Sequence, residues 1–98
     1  MDTVKTACRF GPKIIEHFGA FEMYGHWFVI TGALWNKQCY TITHWRTGTN
    51  AYVIHETTPE AAAWAGMILL AWNGKQRVAA AIKKALKTTG TLNKGRPA

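Results

Sequence analysis

The pattern of apolar and polar positions changes period near residue 57. Before it, Phe21 to Thr31, Cys39 to Trp45 and Ala51 to Glu56 are rich in aromatic and β-branched residues, which favour strands. Asn36-Lys37 and Thr47-Gly48-Thr49-Asn50 separate these runs with turn chemistry, so the three strands are expected to form an antiparallel meander. Two registers are open at the second turn: a four-residue loop pairs Arg46 with Ala51, and a five-residue loop pairs Trp45 with Ala51. The choice exchanges the faces of the following strand. Ahead of the meander, Pro12 near the start and Gly19 past the end predict a short helix over Gly11 to Gly19.

After residue 57 the period is helical. Thr57-Thr58-Pro59-Glu60 carries a cap, a proline suited to the first helical position and an acid at the positive end of the dipole. From Ala61 to Trp72 every residue is apolar or glycine. The run is far short of the roughly 20 residues that span a bilayer, so it is expected to be a buried helix. Ala62, Ala65, Gly66 and Leu69 form its close-packing side, and Trp64, Met67, Ile68 and Trp72 its bulky side. Such a helix needs cover on both sides, from a second helix or from a partner. Asn73-Gly74 ends it, and Lys75 to Thr88 begins again with an apolar stripe of Val78, Ala81, Ile82, Ala85 and Leu86. Gln76, Arg77, Lys83, Lys84 and Lys87 share the opposite face. The expected fold is therefore α+β: a short N-terminal helix, a three-stranded antiparallel meander, a buried apolar helix and a basic amphipathic helix. Residues 1–88 are expected to form one domain and 89–98 a flexible basic tail.

Charge sharpens the asymmetry between the halves. The net charge is +7. Residues 1–72 carry five basic and five acidic side chains, whereas 73–98 carry seven basic ones and no acid. A neutral body that ends in a basic arm points to nucleic acid or to an acidic host protein or nucleoprotein complex as partner. An oligomer formed through the apolar helix is a further reading. A membrane partner is not expected, and a start without a basic, apolar leader points to the cytoplasm.

Candidate chemistry is sparse. Cys8 and Cys39 lack the spacing of a zinc knuckle, and the five carboxylates are scattered. No metal, cofactor or catalytic residue is assigned, and no enzyme activity is expected. His44 and His55 share a sheet face under the four-residue loop. Cys39 and His44, the pairing that would suggest a thiol and its base, fall on opposite faces of a strand. Trp27, Trp35, Trp45 and Tyr52, with Arg46 and Lys37, offer a platform for bases or for a protein surface. The residues assigned to partner binding are Arg46, Arg77, Lys83, Lys84, Lys87, Trp35 and Trp45.

Two resemblances extend this reading. The run Lys75-Gln76-Arg77-Val78-Ala79-Ala80-Ala81-Ile82-Lys83-Lys84-Ala85-Leu86 resembles the Ala-rich basic helix of the double-stranded RNA-binding fold. The chain differs from that fold in its intervening apolar helix and in the late position of its lysine pair. A strand meander set before the Thr57 to Ala61 helix entry is similar to compact phage-encoded inhibitors, anti-CRISPR proteins among them. The first resemblance implies phosphate contacts from the basic helix. The second implies protein contact that blocks a host defence or nuclease complex.

Overall fold

The chain takes up β structure from its third residue. The computed structural model describes residues 2–8, 10–33 and 36–97, the side chains of 36–38 excepted. The described residues form β1 (Thr3–Thr6), β2 (Lys13–Met23), β3 (His26–Ala33), β4 (Asn36–His44), β5 (Asn50–Ile54), α1 (Pro59–Asn73) and α2 (Lys75–Thr89). The fold is α+β, with one antiparallel sheet in the order β1-β2-β3-β4-β5.

Two expectations about the first half are corrected. Residues 11–19 are not a helix: from Lys13 onward they belong to β2, where Val4 pairs with Ile15 and Lys5 with Ile14. A two-turn helix is marginal alone. The β-branched Ile14 and Ile15 instead gain a partner strand in β1, an element absent from the three-strand expectation. The expected first strand, Phe21 to Thr31, is in fact a hairpin. Met23 pairs with His26 across Tyr24-Gly25, whose φ values are 55° and 76°. Positive φ at both central residues is the two-residue turn that matches strand twist. Tyrosine is unusual there, but its hydroxyl donates to the Leu70 carbonyl at 3.4 Å and so ties the turn to α1.

At the β4–β5 turn neither expected register forms. Thr43 pairs with Asn50 and Ile42 with Tyr52, so a bulge at Ala51 resets the alternation. One sheet face carries the core: Phe21, Phe28, Ile30, Ile42 and Ile54, packed with Ala62, Leu70, Val78 and Ile82 from the helices. The other face is buried too, and there threonines stand beside Val29 and Cys39. Thr31, Thr41 and Thr43 are no more than 2% exposed, and Thr31 Oγ1 donates to the Thr41 carbonyl. Thr6 and Cys8 line a cavity of about 20 Å³ with Thr31 and Thr41, which places the β1 end across this face.

Thr58 caps α1 by accepting from the Ala61 amide at 3.1 Å, and Pro59 follows at the helix start. The buried line is Ala62, Gly66 and Leu70. At Gly66 the helix rides directly on β4, since a Cβ there would stand 2.7 Å from Ile42 Cγ1. Of the two expected sources of cover for the outer side of α1, a second helix or a partner, α2 does not supply it. Helix α1 packs on β2, β3, β4 and β5, and α2 packs chiefly on α1, leaving the far side of α1 bare. Trp64, Ile68 and Trp72 are 68%, 64% and 87% exposed.

Residues beyond α2, expected as a flexible tail from 89, are bound in the structure. The Asn93 side chain accepts from the Lys5 amide and donates to the Lys5 and Trp45 carbonyls, while the Leu92 amide donates to Arg46. These bonds cover part of the free edge of β1, which would otherwise present unpaired backbone.

Candidate functional site

The predicted binding residues do not form one surface. Arg46 donates through Nε to Thr91 Oγ1 at 3.0 Å, and Trp45 donates through Nε1 to the Lys94 carbonyl. Trp45 also meets His17 edge-on, with ring centroids 6.0 Å apart. Both residues therefore serve the docking of the C-terminal segment. Trp35 lies outside the described residues.

Of the five cations of α2, the four predicted to bind a partner divide into two pairs. Arg77 and Lys84 are two helical turns apart and line a cleft between α2 and the β4–β5 hairpin. Lys83 and Lys87 are one turn apart, exposed and not among the cleft residues. Their separation follows from helical rotation, because adjacent positions such as Lys83 and Lys84 point about 100° apart. Lys87 in the last turn also complements the helix dipole.

The sheet aromatics are largely occupied. Phe28 is 1% exposed, and Tyr52 is half-buried with its hydroxyl bonded to the Asn73 amide. Phe10 and Phe18 are exposed as well, but a continuous exposed file lies on α1, in Trp64, Ile68 and Trp72. Positions four apart stack along one face, opposite the line Ala62, Gly66 and Leu70. The sequence signalled this file by its all-apolar character; what it did not reveal is that α2 stands elsewhere. Helix α1 has one charged side chain, Glu60, in its first turn.

His44 is buried at the floor of the cleft. Its Nδ1 is 2.8 Å from Thr47 Oγ1, and its ring meets His26 and Phe28. Burial, reinforced by His26 and Arg46 nearby, lowers its pKa to about 4, so it is neutral at pH 7. The suggested common face for His44 and His55 is corrected: the bulge at Ala51 puts His55 on the far side, with Nδ1 3.2 Å from Cys39 Sγ. Cys39 and His44 do lie on opposite faces. Among the described residues no three His, Cys, Asp or Glu side chains are grouped to hold a metal ion. No described helix is long and apolar enough to cross a membrane. No protein-family model, curated protein or solved structure matches the chain, so a functional reading rests on its own geometry.

Proposed function

We propose that this protein is a non-enzymatic binder whose target is an acidic protein surface of a nucleic-acid-processing complex, engaged through α1. The observation that carries this reading is the exposed file Trp64, Ile68 and Trp72. Tryptophans are enriched among residues that dominate binding energy, and two of them eight residues apart flank an exposed isoleucine here. Water contact with this file is unfavourable, and its burial supplies the apolar centre of an interface. Direct nucleic-acid contact is less well supported at this face, because α1 offers no cation to meet phosphate.

The charge complement comes from the next element. Residues 75–98 hold seven cations and no acid, so they raise the encounter rate with an acidic target. In this arrangement α1 supplies residence time and α2 supplies steering. The job that fits is the one implied by the phage-inhibitor resemblance, occupation of a site on a host defence or nuclease complex.

The test uses the intact protein against nuclease-treated host lysate, followed by direct titration of the retained partner after its purification. Replacing Trp64 and Trp72 together by Ala should weaken the purified pair by about 2 kcal/mol or more, roughly thirtyfold in Kd. The melting temperature should hold. The reading is overturned if binding survives the double change, or if nuclease removes the partner. It is also overturned if the free protein binds RNA or DNA with a salt slope that flattens when Lys83, Lys84 and Lys87 become Gln.

A further inference from the structure

The cleft between α2 and the β4–β5 hairpin is separate from the tryptophan file and has its own chemistry. It encloses about 490 Å³. That volume is in the range of sites that take small molecules, about 300–1,000 Å³. It exists because α2 packs chiefly on α1 and presents small side chains, Ala81, Ala85 and Thr88, toward the sheet. Across from them stand Ala51 and Tyr52. The walls are therefore mainly apolar.

The charged groups of the cleft are one-sided. Arg77 and Lys84 border it on α2, and no Asp or Glu lines it. Two turns separate them, about 10 Å along the helix, so their long stems can converge on an anionic group seated between. At the floor stands His44, whose Nδ1 is 2.8 Å from Thr47 Oγ1. Its lowered pKa keeps the ring neutral, so His44 adds a hydrogen-bonding site rather than a third charge.

We propose that this cleft binds a small amphipathic organic anion, with its apolar body between Ala81, Ala85 and Tyr52 and its carboxylate or phosphate against Arg77 and Lys84. A cation or a neutral chain of the same size lacks the charge complement. A free inorganic anion lacks the apolar body. Both halves of the ligand are needed, which sets the choice of probes.

Decanoate and 1-naphthyl phosphate, titrated into the full-length isotope-labelled protein, test the proposal by amide chemical shifts. Saturable shifts at Tyr52, Ala81 and Ala85 are expected with both, and decanol, decyltrimethylammonium and inorganic phosphate should bind at least about tenfold more weakly. Arg77→Gln with Lys84→Gln should remove the preference for decanoate over decanol. Ala81→Leu with Ala85→Leu should fill the cleft and abolish binding; if that variant fails to fold, the single change Ala85→Leu gives the same readout. Because Trp64 and Trp72 lie elsewhere, their double Ala variant should bind decanoate as the parent does. An absence of saturable shifts up to millimolar probe would overturn the proposal. Shifts centred on Trp64 and Trp72, or equal affinity for decanoate and decyltrimethylammonium, would overturn it as well. None of these results bears on whether α1 binds a protein.

Discussion

Helices α1 and α2 are each 15 residues long and adjoin at Gly74, yet they place their apolar residues in opposite ways. In α2 the large apolar side chains are confined to the stripe of Val78, Ile82 and Leu86, the first two buried and the third half-buried, and the exposed face is charged. In α1 the buried line consists of Ala62, Gly66 and Leu70, while its two tryptophans and Ile68 face water. The contact face of α1 is small because the helix lies close on β4. Its bulk is consequently displaced outward. The comparison teaches that side-chain size on a helix marks the core in one case and a surface for a partner in the other.

The sharpest way to break this comparison is to truncate each side of α1. Leu70→Ala removes a side chain that is 2% exposed and should cost about 2–5 kcal/mol, the range for a cavity in a packed core. Ile68→Ala, two residues earlier and 64% exposed, should fall within about 0.5 kcal/mol of the parent. Urea denaturation of the two variants measures both. Equal losses would mean that α1 is covered on both sides.

Close approach gives the next largest effect. Gly66→Ala places a methyl group into Ile42, and overpacking of this kind should cost about 1–3 kcal/mol. Alanine's better helix propensity returns at most about 1 kcal/mol. Urea midpoints should therefore fall, whereas Ala79→Gly on exposed α2 should lose only the propensity difference. A stabilised Gly66→Ala protein would show that α1 can lift from β4.

Acid should act on the ground beneath α2. His44 has its pKa lowered to about 4 in the folded state, against an ordinary value of 6.5. Between those values the unfolded chain binds the extra proton, so stability falls as pH falls through this window. The slope approaches about 1.4 kcal/mol per pH unit, and above pH 7 the histidine contributes none. Stability measured from pH 7 to 4.5 should follow this course, and His44→Gln should flatten it. An unchanged slope in that variant would place the titration elsewhere.

The smallest stability effect is expected on the exposed face of α2. Replacing Lys83, Lys84 and Lys87 by Gln should change folding stability by about 0.5 kcal/mol or less, since exposed charges contribute little. The same change should slow association with an acidic partner and leave dissociation nearly unaltered. Stopped-flow association against dissociation rates separates the two. A faster dissociation would assign these lysines to the interface centre.

The helical half was the more legible part of the chain. Thr58, Pro59 and Gly74 are local signals whose action reaches only a few residues, and the helix boundaries they imply are those observed. The strands were less legible because pairing is not local. Ile14 and Ile15 extend because Val4 and Lys5 lie beside them, and nothing between Gly11 and Gly19 specifies that partner. Tyr24 lacks the usual composition of its turn, and its anchor is Leu70, far away in the chain.

The candidate sites divide in the same way. By itself the sequence determined that α1 is apolar all round, that α2 is amphipathic and that the positive charge gathers after residue 72, because side-chain type and helical period decide these. Only the tertiary structure decided that α2 leaves Trp64, Ile68 and Trp72 uncovered and stands over a cleft. It also decided that Arg77 and Lys84 part from Lys83 and Lys87, and that Trp45 and Arg46 hold the C-terminal segment. The physical reason is that exposure belongs to no residue alone: a tryptophan is buried or bare according to what packs on it, and α2 sets Val78 and Ile82 into the core without covering Trp64 and Trp72.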